Sequence, residues 1–108
     1  MKTVGIIGGL GPESTIDYYR LIIAAWRKQV HDGSYPSIII NSIDRNRLQN
    51  LLVAKKLSEL TEFLLTELHR LVDAGVDFAV LAANAAHIVF DALREKSPIL
   101  KCRFSTQP

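Results

Sequence analysis

Apolar residues in this chain fall into short unbroken runs, separated by longer stretches with a helical repeat. Thr3 to Ile7 is β-branched and apolar and stops at Gly8 and Gly9, the pattern of a strand buried on both faces. Pro12 then stands where the first turn of a helix needs no N–H, and Ile16, Tyr19, Ile23 and Trp26 carry helical spacing to about Val30. His31 to Pro36 (HDGSYP) is a loop, and Ser37 to Ser42 (SIIINS) is a second buried strand. Asp44 to Ala54 passes from polar to apolar, and its pattern supports nothing firmer than a loop with a helical turn. Leu57 to Ala74 is the clearest amphipathic helix, with Leu57, Leu60, Leu64, Leu68 and Leu71 on one face and Gly75 to end it. Asp77 to Leu81 is a third strand, and Ala86 to about Lys96 a third long helix.

The order β-α-β-α-β-α predicts an α/β fold, a parallel sheet with helices on both faces. Ser97-Pro98-Ile99-Leu100 opens like a fourth strand, but the polar KCRFSTQP that follows departs from the apolar run such a strand needs. The expected domain is therefore residues 1–98, with 99–108 an atypical tail of the kind a truncated or frameshifted reading frame would produce.

Composition narrows the partners. Thirteen Lys and Arg against eleven Asp and Glu leave a net charge of +2, and the basic residues are scattered, so no nucleic-acid partner is expected. The apolar start breaks at glycines too soon for a signal peptide or a membrane span. A single cysteine, Cys102, excludes an internal disulfide and fits a reducing cytoplasm. His31, His69 and His87 are far apart and lack the companions of a zinc spacing, so no metal is expected.

The strongest chemical signal is GIIGGLGPEST, Gly5 to Thr15, a glycine-rich turn between a strand and a helix. Such a turn lets backbone N–H groups approach an anion at the helix N-terminus, or it is simply tight. A dinucleotide fingerprint needs a third glycine where Ser14 stands, and Asp44 lies well beyond the acidic position expected about 20 residues on. Ser14 and Thr15 either donate hydroxyls to a ligand or cap the helix. A second stretch, LAANAAHIVFDAL from Leu81 to Leu93, occupies a strand end, where open α/β sheets place their chemistry, yet it is filled with alanine. Asn84 either donates to a carboxylate or bonds the turn, and His87 is either an acid/base or a residue that orients its neighbours. Arg45 and Arg47 either clamp a carboxylate or stay solvated.

Together GIIGGLGPESTIDYYRLI, SIIINSID and DFAVLAANAAHIVFDAL resemble the aspartate/glutamate racemase family, which works without pyridoxal phosphate. The resemblance implies two similar α/β lobes facing across a cleft, of which this chain is a Rossmann-like first lobe. It implies homodimers, no cofactor, and an acidic amino acid or another carboxylate as ligand. It also implies two cysteines, one per lobe, that take a proton from one face of Cα and return one to the other.

Position by position, Gly9, Leu10, Gly11, Ser14 and Thr15 match the carboxylate loop. Arg47 or Gln49 matches the loop toward the distal carboxylate. Asn84 matches a substrate-binding position, His87 matches the family's histidine, and the backbones of Ala83 and Ala85 remain as donors. The first thiol position is Ala83, the threonine after the asparagine is Ala85, and Cys102 lies outside the matched stretch. The expectation is a racemase lobe without an intact catalytic residue. The alternative is a non-catalytic module that binds carboxylates or oligomerises.

Overall fold

A computed structural model describes residues 2–9, 12–82, 89–97 and 100–103. Its elements run β1 (Thr3–Gly8), α1 (Pro12–Gln29), β2 (Ser37–Ser42), α2 (Arg45–Val53), α3 (Leu57–Asp73), β3 (Phe78–Leu81), α4 (Phe90–Lys96) and β4 (Leu100–Arg103). The four strands are parallel in the order β2-β1-β3-β4. Winding therefore proceeds from β1 out to β2 and then reverses to β3 and β4. With right-handed crossovers, that reversal sends α1 to one face and the later helices to the other.

Alternation along the strands builds two cores. Ile7, Ala79 and Leu81 pack with Leu48, Leu60, Leu64, Leu68, Leu71 and Leu93 from α2, α3 and α4. Ile6, Val80 and Ala82 point the other way, against Tyr18 and Ile22 of α1. Burial from solvent holds the Tyr18 phenol above its ordinary pKa, with Asp17 adding to the shift. The leucine face of α3 expected from the repeat is the one buried, apart from Leu57 at the exposed start of the helix.

Two boundaries differ from the sequence-based expectation, and a third lies outside the described residues. Asp44 to Ala54 holds a helix, α2, because the Asp44 carboxylate caps it, accepting from the N–H groups of Asn46 (2.9 Å) and Arg47 (3.4 Å). The fourth strand continues into the polar run as Leu100–Arg103, pairing with β3 across a register shift after Ala79. An edge strand tolerates Lys101 and Arg103 where a central one would not. The described part of the last helix begins at Phe90, and the expected start at Ala86 lies outside the described residues.

Two helix ends share one geometry and differ in chemistry. After α3, Gly75 adopts φ +92°, its N–H bonds the Val72 carbonyl, and the Val76 N–H bonds that of Leu71. After α2, the same pair of bonds runs from Lys55 to Leu52 and from Lys56 to Leu51, and Lys55 sits at φ 57°. A residue with a Cβ pays roughly 1–2 kcal/mol for that conformation.

Lys55→Gly is expected to raise stability by about 0.5 kcal/mol, the relief of strain being partly offset by a freer unfolded chain. Urea unfolding of the two proteins checks the sign. A pH effect is expected in the loop before β2. Asp32 accepts from the Ser34 N–H (2.8 Å), and bonds to Ser34 hold its carboxyl below the ordinary aspartate pKa. Ser34 in turn accepts from the indole of Trp26, the single tryptophan. A lowered folded-state pKa means the contribution is complete above the ordinary aspartate pKa and is lost as pH falls through the folded value. Trp26 emission should therefore stay constant down to about pH 4 and shift only below it, and Asp32→Ala should abolish the step.

Candidate functional site

In a sheet ordered β2-β1-β3-β4, winding reverses between β1 and β3, and their carboxyl ends bound the crevice where such folds place ligands. Three strand ends are tied together there. The Gly8 carbonyl accepts from the Ile43 N–H (2.9 Å), and the Ile7 carbonyl accepts from the Ala82 N–H (3.0 Å). Gly9 thus leaves β1 beside the residues that follow β2 and β3.

Steric limits at this turn are narrow. A Cβ on Gly8 would lie 2.6 Å from both Cγ2 and Oγ1 of Thr15, so the absence of a side chain lets the first turn of α1 close on the strand. Gly9 has φ +85°, and a Cβ there would lie 2.5 Å from the Ser42 Oγ and 2.9 Å from the Ile43 backbone N and O. The Gly9 N–H donates to the buried Thr15 hydroxyl at 2.9 Å. Thr15 therefore braces the turn from inside, while Ser14 beside it is half-buried.

The other expected site residues divide into two groups. Leu10, Gly11, Ala83, Asn84, Ala85 and His87 lie outside the described residues. Arg45, Arg47 and Gln49 are exposed on α2. The Arg47 guanidinium lies over the Phe63 ring of α3, 5.3 Å from its centroid, in a shallow groove also lined by Ser58, Glu59, Glu62 and Thr66. Gly9, Ser14 and Thr15 do not line that groove. The structure thus brings the glycine turn together with the end of β3, and it groups Arg47 with α3.

Sequence reasoning missed two polar features. Ser42 stands at the rim, its hydroxyl against Gly9. Asn41, inside the apolar second strand, donates to the Glu67 carboxylate (2.7 Å) and to its backbone carbonyl (3.2 Å), with Arg70 3.7 Å from the same carboxylate. A lone amide in SIIINS, at a position alternating with Ile38 and Ile40, was the available signal for a polar partner on α3. Among the described residues, no group of three or more His, Cys, Asp and Glu gathers. No helix among them is long and apolar enough to cross a membrane.

A separate apolar groove of about 580 Å³ runs beneath the second half of α1, lined among others by Val4, Ile22, Trp26, Phe78 and Val80. Val4 and Phe78 sit at the amino ends of β1 and β3, away from the edge where parallel sheets hold ligands.

Comparison with known proteins adds the family. The sequence profile of Asp/Glu/Hydantoin racemases matches residues 7–99. A crystal structure of a candidate Asp/Glu racemase from Yersinia pestis superposes with a TM-score of 0.85 at 29% identity, covering 94% of this chain and 44% of that one. An aspartate racemase homologue from Pyrococcus horikoshii OT3 gives a TM-score of 0.81 at 31% identity, covering 97% of this chain and 45% of that one. The chain therefore spans less than half the length of these solved relatives.

Gly9→Ala is expected to destabilise the chain by about 2–4 kcal/mol, since it adds a strained φ to overpacking against the Ile43 backbone. Gly33→Ala, also at positive φ but with open space around the added methyl, should cost only about 1–2 kcal/mol. Denaturant midpoints compare the two, and equal losses would remove the packing argument.

Proposed function

Because the chain belongs to the Asp/Glu/Hydantoin racemase family, we propose that it is one lobe of an acidic-amino-acid racemase fold. In this reading it keeps the carboxylate-binding edge and lacks the proton-transfer chemistry. The glycine turn at the winding reversal of the sheet carries this reading. Backbone N–H groups at such a turn recognise a carboxylate without any particular side chain.

The reaction of the fold is inversion at Cα of aspartate or glutamate, by two bases and without a cofactor. It needs an ionisable group on each face of Cα, matched to near-neutral pH. Position 83, where the family's first thiol belongs, carries a methyl group, which neither accepts nor donates a proton. The second base belongs to a lobe outside the matched region. Binding would rest on Gly9, Leu10, Gly11, Ser14, Asn84 and the backbone of Ala83 and Ala85. Thr15 would act chiefly by holding the turn, as its bond to Gly9 suggests. Arg47 would reach the distal carboxylate only by leaving the Phe63 ring. A purely non-catalytic carboxylate-binding module is the second reading, favoured by methyl groups at both 83 and 85.

Solvent deuterium incorporation at Cα of L- and D-aspartate and glutamate tests the proposal by NMR. The native chain should broaden ligand signals and exchange no α-proton, whereas Ala83→Cys/Ala85→Thr should exchange slowly without inverting the centre. Exchange by the native chain would overturn the loss of chemistry and make His87 the first residue to substitute. Absence of any ligand broadening would overturn the binding edge.

A further inference from the structure

Ser42 is the last residue of β2 and pairs with Gly8 at the carboxyl edge of the sheet. Its neighbour Asn41 turns its amide toward α3, where it bonds Glu67. By strand alternation Ser42 faces the other way, to the side where Ile38 packs with Ile6, Tyr18 and Val80. α1 lies on that side, so the Ser42 hydroxyl stands beside the turn that carries the chain from β1 into the helix. The approach is close, since a Cβ on Gly9 would meet the Ser42 Oγ at 2.5 Å. Ser42 is nevertheless exposed, and among the described residues its hydroxyl makes no hydrogen bond.

The other described donors at this rim are committed. The Gly9 N–H goes to the Thr15 hydroxyl at 2.9 Å, so Gly9 serves the turn by its shape. The N–H groups of Ile43 and Ala82 go to the carbonyls of Gly8 and Ile7. A hydroxyl can turn about its Cβ–Oγ bond to meet an incoming acceptor, which a committed backbone N–H cannot do. Ser42 thus holds unspent bonding capacity at the edge where the fold places ligands.

We propose that Ser42 is a ligand-binding residue, its hydroxyl donating to the α-carboxylate that aspartate and glutamate share. This rests on the reading of the glycine turn as a carboxylate site and adds one side-chain donor to the backbone ones. Its neighbours Gly8, Gly9, Ile43 and Ala82 carry no charge, so a carboxylate is met here by dipoles and not by a counter-ion. A hydrogen bond to an ionised acceptor is about twice as strong as one between neutral groups, so a single hydroxyl suffices to matter. Position selects the α end of the ligand. Ser42 borders the glycine turn, whereas Arg47, matched to the distal carboxylate, lies within α2 over the Phe63 ring. Aspartate and glutamate differ by one methylene at the distal end and are alike at the α end, so they depend on Ser42 equally.

NMR titration of the native chain and of Ser42→Ala with L-aspartate and with L-glutamate tests the assignment. Ser42→Ala should weaken both amino acids by about 10-fold, the loss of one hydrogen bond to a charged acceptor. Its thermal midpoint should match that of the native chain, because Ser42 is exposed and its hydroxyl ties no other described residue. Equal affinity of the two chains for both amino acids would overturn the role of Ser42 and leave the carboxylate site standing. Weakening of one amino acid and not the other would put the hydroxyl at the distal end, against the assignment. A lowered midpoint would make Ser42 a structural residue and overturn it as well. A native chain that bound neither amino acid would remove the carboxylate reading, and Ser42 with it.

Discussion

The close approach of α1 to β1 at Gly8 and Gly9 is the constraint from which the rest of the molecule follows. Thr15 occupies the space a Gly8 side chain would need, and its hydroxyl takes up the N–H of Gly9. That contact fixes where α1 starts and how it lies on Ile6, Val80 and Ala82. On the same turn, the Gly8 carbonyl holds Ile43 and the Ile7 carbonyl holds Ala82. A larger residue at Gly8 would press on the first turn of α1, and one at Gly9 on the end of β2. The path of the chain through Gly8 and Gly9 is consequently set by packing and backbone geometry.

Coverage of the sheet is uneven, and the unevenness has consequences. α2, α3 and α4 bury one face around a continuous leucine-rich cluster. Among the described residues, the opposite face has α1 alone, with a smaller cluster and an apolar groove under the second half of the helix. Parallel sheets need both faces covered to satisfy their apolar strands. This chain meets that demand on one side. On the other it leaves apolar surface at the groove and along the α1 flank, and relatives more than twice its length have further chain with which to cover such surface.

The fold was legible because β1, β2 and β3 are unbroken apolar runs, and because α3 repeats leucine at helical spacing up to Gly75. What escaped was local. α2 is short, and its signal was a capping aspartate followed by Leu48, Leu51 and Leu52, too brief a pattern to outweigh the polar residues around it. β4 was hidden by lysine and arginine in its sequence, residue types that sheet edges accept. Of the site, the glycine turn could be read from spacing alone, since a positive φ combined with a close approach calls for glycine. The setting of Arg47 could not, because stacking on Phe63 depends on how α2 packs against α3.

Recognition and proton transfer make separate demands on a fold of this kind. In the proposed reading a carboxylate is held by backbone N–H groups, a demand that does not depend on which side chains stand nearby. The proton transfer of that reading would depend on particular ionisable atoms on both sides of Cα, and the alanine at position 83 would leave one of them out. On that reading, the absence of a thiol would be chemically decisive and structurally cheap. Selection on folding would not prevent it, because the glycine contacts and the leucine core are formed by other residues.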